Sequence, residues 1–141
     1  MATIETAIVE RLRTSALVNG LVQTRISPWE GGQADVLPRI TYFRVSSNRE
    51  HHMLGSSGFA FANIQIDCWA EKYSTAKDLG EAVRRRLDGY RGTSAGHYVG
   101  HCHIIQDRDL PQRLSTGTEK SLYRILQEYR ISFRETAGIV N

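Results

Sequence analysis

Cysteine is scarce in this chain: Cys68 and Cys102 are the only two among 141 residues. Neither sits in a CxxC pair and both fall inside strand-like runs, so a disulfide framework is excluded. They read as small buried hydrophobes in a reducing compartment. Proline is nearly as rare, and the three present, Pro28, Pro38 and Pro111, fall in loops or at a strand start, where a missing N–H is tolerated. No apolar run approaches the ~20 residues that a membrane-spanning helix requires. Met1 to Glu10 carries acids and no uninterrupted apolar stretch. No secretory signal is therefore expected, and the cytoplasm is the expected place of synthesis. The sequence has no GxGxxG, no P-loop and no GxSxG, the motifs that cradle phosphates or present a nucleophile. It has neither an internal repeat nor a low-complexity segment.

What is present is ordinary globular material, 40% apolar and 23% charged, in a length that fits one domain. A core can be buried at this size without metal or disulfides. The net charge of +3 permits nucleic-acid contact without predicting it.

Apolar spacing organises the chain. Ile4, Ile8 and Leu12 recur at helical spacing behind Thr3, a candidate N-cap, which predicts a helix over 3–13. Asn19-Gly20 reads as a helix end or a turn, and 23–26 as a short strand. A loop is expected over 27–37, with Pro28 and Gly31-Gly32. Strands are predicted over 39–46 and 59–69. In the latter, Ile64, Ile66 and Cys68 share one face, and Asn63, Gln65, Asp67 and Trp69 the other. Between them, 47–58 reads as a polar loop carrying His51, His52, Met53 and Leu54. A second helix spans 74–88, with Ser74 as N-cap, Gly89 beyond its end, and an apolar stripe of Ala76, Leu79, Val83 and Leu87. Strands follow at 98–106 and 120–134, separated by a loop at 107–119. The last strand alternates Tyr123, Ile125, Tyr129, Ile131 and Phe133 against Arg124, Glu128, Arg130, Ser132 and Arg134, with Leu122 and Leu126 on the latter side. The expected fold is α+β: a mostly antiparallel β-sheet with two α-helices packed on one face. A single domain over 1–134 and a frayed tail at 135–141 are expected.

Chemistry-bearing patterns are few. His101 and His103 lie two apart in a strand and project to one side, with His97 joining them if the strand starts early; such an HxH can bind zinc. Cys102 and Ile104 claim the core face, which leaves the histidines for solvent or a partner. The expectation is no metal, no cofactor and no catalytic residue, since no serine or cysteine stands beside a base and an orienting acid. The Arg84-Arg85-Arg86 run can touch phosphates. It equally suits a helix C-terminus, where the backbone dipole favours cations. Apolar anchors in loops or on a polar face point to partner contacts. The candidate interface set is Trp29, Arg49, His51, His52, Met53, Leu54, Trp69, His97, His101, His103, Arg108 and Arg113.

An ordered series of short segments completes the picture. Leu37-Pro38-Arg39-Ile40-Thr41-Tyr42 enters a strand. His52-Met53-Leu54-Gly55 and Gly58 lie in the long loop, and Ile64-Gln65-Ile66-Asp67-Cys68-Trp69-Ala70 forms the next strand. Leu79, Ala82, Val83, Arg84 and Leu87-Asp88-Gly89-Tyr90-Arg91-Gly92 make the helix and its exit; Asp107-Arg108-Asp109-Leu110 precedes the final strand. In this series the chain resembles the small tail completion proteins of siphophages, relatives of the tail terminators. The resemblance implies a structural virion subunit and no enzyme. It implies a homo-oligomeric ring, usually a hexamer, that caps the tail tube and joins tail to head at the head-proximal end. The implied partners are the tail tube protein and neck, head-completion or connector proteins, with no membrane and no specific nucleic acid, although DNA passes through such a ring. Another neck or head-completion ring protein is the nearest alternative, and a metal-binding module built on the HxH is a more distant one.

Overall fold

The structure is a computed structural model that describes residues 3–29, 36–52, 55–113 and 121–134. The chain opens with α1 (Ile4–Arg13), where Thr3 is the N-cap and its N–H donates to the Thr6 hydroxyl at 3.3 Å. A short helix absent from the sequence reading follows, α2 (Ala16–Val22), in place of a helix end or turn at Asn19-Gly20. Its start is set by Ser15, whose hydroxyl accepts from the Val18 N–H at 3.3 Å. Seven residues give too little periodicity to distinguish a helix from a turn, which is why it was not legible. The third helix, α3 (Tyr73–Leu87), begins one residue before Ser74, with Lys72 as its N-cap. Asp88 is its C-cap, and Gly89 follows with a φ of +83° that suits glycine and an N–H that donates to the Cys102 carbonyl at 2.7 Å.

The strands are β1 (Ile26–Pro28), β2 (Arg39–His52), β3 (Gly55–Ala70), β4 (Gly92–Ser94), β5 (His97–Arg113) and β6 (Ser121–Arg134). They form one sheet in the order β1-β2-β3-β6-β5-β4. The α+β assignment holds, but with three helices in place of two, and with a mixed sheet: β1 runs parallel to β2, and the remaining pairs are antiparallel. The two expected loops at 47–58 and 107–119 are strand over their described residues, 47–52, 55–58 and 107–113; 53–54 and 114–119 lie outside the described residues. β2 and β3 pair as far as His52 opposite Gly55, and β5 and β6 as far as Arg113 opposite Ser121. Their polar, glycine-containing composition masked them, because side chains at a sheet edge or a hairpin end that miss the core need no apolar alternation. Residues 135–141, expected to fray, lie outside the described residues.

The helices cover one face. The core there is built from Ile40, Ala62, Ile64, Ile66, Cys68, Ile125, Tyr129, Ile131 and Phe133 of the sheet with Ile4, Ile8, Leu12, Leu79, Val83 and Leu87 of the helices. Both thiols are fully buried and unpaired. Burial raises both, Cys102 to about 12. Neither is therefore expected to react with Ellman's reagent at pH 8 until the chain is denatured, after which both should titrate.

The arginine run finds its partners within the chain. Arg84 and Arg85 pair with Glu81. Arg86 Nε donates to the Arg11 carbonyl at 2.8 Å while Arg11 Nε donates to the Arg86 carbonyl at 3.2 Å. Each helix end thus caps the other's last carbonyls. Arg11 also lies 4.1 Å over the Tyr90 ring. Its pKa is lowered, first by burial and then by Arg86.

One polar group enters the core on purpose. Gln127 is 1% exposed, its amide nitrogen donates to the Gly80 carbonyl at 2.9 Å, and its oxygen accepts from the Tyr129 hydroxyl at 2.8 Å. Gly80 leaves room for it, since a Cβ there would stand 3.3 Å from Gln127 Nε2. Gln127→Leu strands the buried Tyr129 hydroxyl and removes the side-chain bond to the Gly80 carbonyl. The expected loss is about 2–4 kcal/mol, read as a lower urea midpoint with unchanged slope.

Candidate partner interface

The opposite face carries no helix among the described residues, and register fixes what it presents. Residues paired across strands point to the same side. Arg39, Trp69 and Arg124 form one row, Thr41, Asp67 and Leu126 the next, then Phe43, Gln65 and Glu128. Further along come Ser46, Asn63, Arg130 and His103, then Asn48, Phe61, Ser132 and His101, and last Phe59 with Arg134.

At the first end most polar groups of this face find partners within the chain, although Arg39 Nε is buried without a hydrogen-bond partner. Asp67 is fully buried and receives Arg124 Nε at 3.2 Å and Gln65 Nε2 at 3.0 Å. Trp69 Nε1 donates to Thr41 Oγ1 at 2.9 Å. Trp29, from the turn after β1, stacks on Trp69 with centroids 5.6 Å apart, and Arg124 lies 5.0 Å over Trp69 and 5.3 Å over Trp29. Trp69, expected as an exposed anchor, is therefore buried at 5%, and the exposed aromatic is Trp29 at 40%. The two tryptophans are 40 positions apart in sequence, so their pairing left no local signal.

The histidine row is broken in two. β5 does start early, at His97, but a register shift between Val99 and His101 intervenes. The bulge at Gly100 puts His97 in phase with core-facing Val99, away from His101 and His103. The latter two remain together, ring centroids 4.6 Å apart, and His103 Nδ1 is buried without a hydrogen-bond partner. Among the described residues no third histidine, cysteine or carboxylate completes a metal site with them.

Of the remaining candidates, Arg49 and Arg108 lie within the sheet, and His51, His52 and Arg113 lie at its hairpin ends. Arg49, His51 and His52 lie in the outer part of β2, Arg108 is exposed in β5, and Arg113 is its last residue. Met53 and Leu54 lie outside the described residues. Among the described residues, β2 and β3 continue beyond Phe59 opposite Arg134 as a two-stranded arm; beyond Ala70 opposite Tyr123, β5 and β6 extend by the pairs Gln112–Leu122 and Arg113–Ser121. The two arms leave the sheet at opposite ends. Arg39, Asp67, Arg124, Arg130 and Arg134 were missed as site residues, although the alternation of arginines in 120–134 had placed three of them on one face.

Residues 6–134 match the family described as tail completion protein gp17. The chain belongs to that family. Tail completion proteins are structural components of the virion tail, which is where this chain acts. The fold is also similar to that of a chain in the virion of a native gene transfer agent particle, with a TM-score of 0.73 and 16% identity over 93% of this chain and 94% of that one. At that identity the likeness speaks for the fold. No curated protein matches the chain.

Proposed function

We propose that this tail completion protein is a single-domain, non-enzymatic subunit of a closed ring, hexameric by family resemblance, that caps the tail tube and joins it to the head. The observation that carries ring closure is the pair of open sheet edges. β1 covers β2 only over Ile40–Tyr42, and β4 covers β5 only over His97–Val99. The rest of β2 and β5 is unpaired along its outer side among the described residues. These two edges differ and lie on opposite sides of one sheet. Contact between them is head-to-tail, and a constant rotation closes such contacts into a ring. Each edge also carries a bulge with an exposed β-branched residue, Val45 (47%) on β2 and Ile105 (46%) on β5. The bulges oppose indefinite strand addition and favour side-chain docking. The two arms, projecting from opposite ends, suit contacts with the tube on one side and neck proteins on the other.

Native mass spectrometry is expected to show one discrete oligomer, and electron microscopy to find it at the head-proximal end of tails. Val45→Asp with Ile105→Asp is expected to leave melting unchanged and to yield monomers. A monomeric wild type, or absence from that end, overturns the proposal. Replacing the arm tip 51–56 by Asn-Gly should keep the subunit folded and the ring intact while abolishing joined particles, scored by counting tailed virions.

A further inference from the structure

The sheet's helix-free face stacks arginine on aromatic rings at both ends, but only one end supplies its own carboxylate. Arg124, over Trp69 and Trp29, is held by Asp67. At the far end Arg130 lies 5.0 Å over Phe61, and Arg134 lies 5.2 Å over Phe59 and 5.8 Å over Tyr98. No carboxylate among the described residues pairs with either. Beside them His103 keeps a buried, unpartnered Nδ1. This end therefore holds two guanidinium groups with no carboxylate partner among the described residues, bordered by aromatic surface: Phe59 is 44% exposed and Tyr98 39%.

We infer that this end of the face docks a carboxylate-rich segment of another virion protein, with Arg130 and Arg134 as the acid-binding groups and Phe59 and Tyr98 as the apolar floor. Charge complementarity commits the occupant to an anion. A guanidinium fixed over a ring presents its remaining N–H groups in a planar fork that suits a carboxylate. A protein occupant is favoured over nucleic acid on two counts. The cations here are all arginine, with no lysine on the rows of this face. Exposed tyrosine and phenylalanine beside arginine is the composition of protein-interface anchors, and a sugar-phosphate backbone leaves such apolar area uncovered. The inference rests on the reading that the subunit joins other tail or neck proteins, and it names the chemistry of that contact.

The test is fluorescence anisotropy of a labelled oligoglutamate peptide with the full chain at low salt, with a labelled random-sequence DNA duplex in parallel. Arg130→Gln with Arg134→Gln removes both charges from exposed positions, and unchanged melting shows that it folds. The variant is expected to bind oligoglutamate about tenfold or more weakly than wild type, the loss of two charge-assisted contacts, whereas Arg13→Gln on α1 binds as wild type. Equal binding by the double variant and wild type overturns the inference. So does DNA binding that is tighter than oligoglutamate binding and lost in the same variant, which assigns the face to nucleic acid. Ring formation is scored separately: a monomer that still binds the peptide through Arg130 and Arg134 sinks ring closure alone, and a ring that does not discriminate the variants sinks the acid site alone.

Discussion

Ile66→Asp is expected to yield a chain with no cooperative thermal transition. Ile66 is fully buried at the middle of β3, between Tyr42 on β2 and Gln127 on β6. Its face is the one closed by the helices, and the polar groups there are already committed: Gln127 to Gly80 and Tyr129, and Arg44 to Glu5. An aspartate at this position either loses its charge or brings an unpaired carboxylate into the core, and it leaves a cavity where the isoleucine packed. The cost exceeds about 5 kcal/mol, comparable with the whole stability of a domain this size. The control is Asn63→Asp, three residues away on the opposite face, where the side chain is half-exposed and in register with Arg130. That variant should remain folded, within about 0.5 kcal/mol of wild type. A cooperative melt for Ile66→Asp near the wild-type temperature would show that the helices do not close this face.

The two variants separate what the sequence reveals from what it hides. Alternation in 59–69 and 120–134 assigns faces correctly wherever a strand is covered on one side, because burial enforces a period of two. It fails at three kinds of place. A bulge adds one residue and reverses the phase, which is how His97 parts from His101 and His103. Residues at a sheet edge or a hairpin end that miss the core carry no apolar period, so the described parts of 47–58 and 107–119 look like loops. Contacts between distant segments, Trp29 on Trp69 or Arg86 on Arg11, leave no spacing to detect. The arginine run divides in the same way: Arg84 and Arg85 stay on the surface and pair with Glu81 of their own helix, whereas Arg86 finds its partners on Arg11 and Thr14 only once α1 and α3 are side by side.

Asp67→Ala is expected to destabilise the subunit by about 3–5 kcal/mol, a loss second only to a charge in the core. The carboxylate itself is fully buried, and the Arg124 side chain is only 16% exposed. Removing Asp67 leaves a guanidinium wedged against two indole rings with no counter-charge, and it strands the Gln65 amide as well. Most of the measured loss is the penalty of that orphaned cation, so Asp67→Leu combined with Arg124→Met should recover much of it, because apolar groups of similar volume need no pairing. The double-mutant cycle is therefore strongly non-additive. The chain's two tryptophans both sit in this cluster, so selectively excited tryptophan fluorescence reports on it alone. The emission maximum should move to the red in Asp67→Ala, where the stack loosens and admits water, and return in the double variant. Additive losses in the cycle, or an emission maximum that ignores Asp67, would show that the ion pair does not organise this end of the face. The contrast between Arg124, completed within the chain, and Arg130 and Arg134, which are not, would then lose its basis.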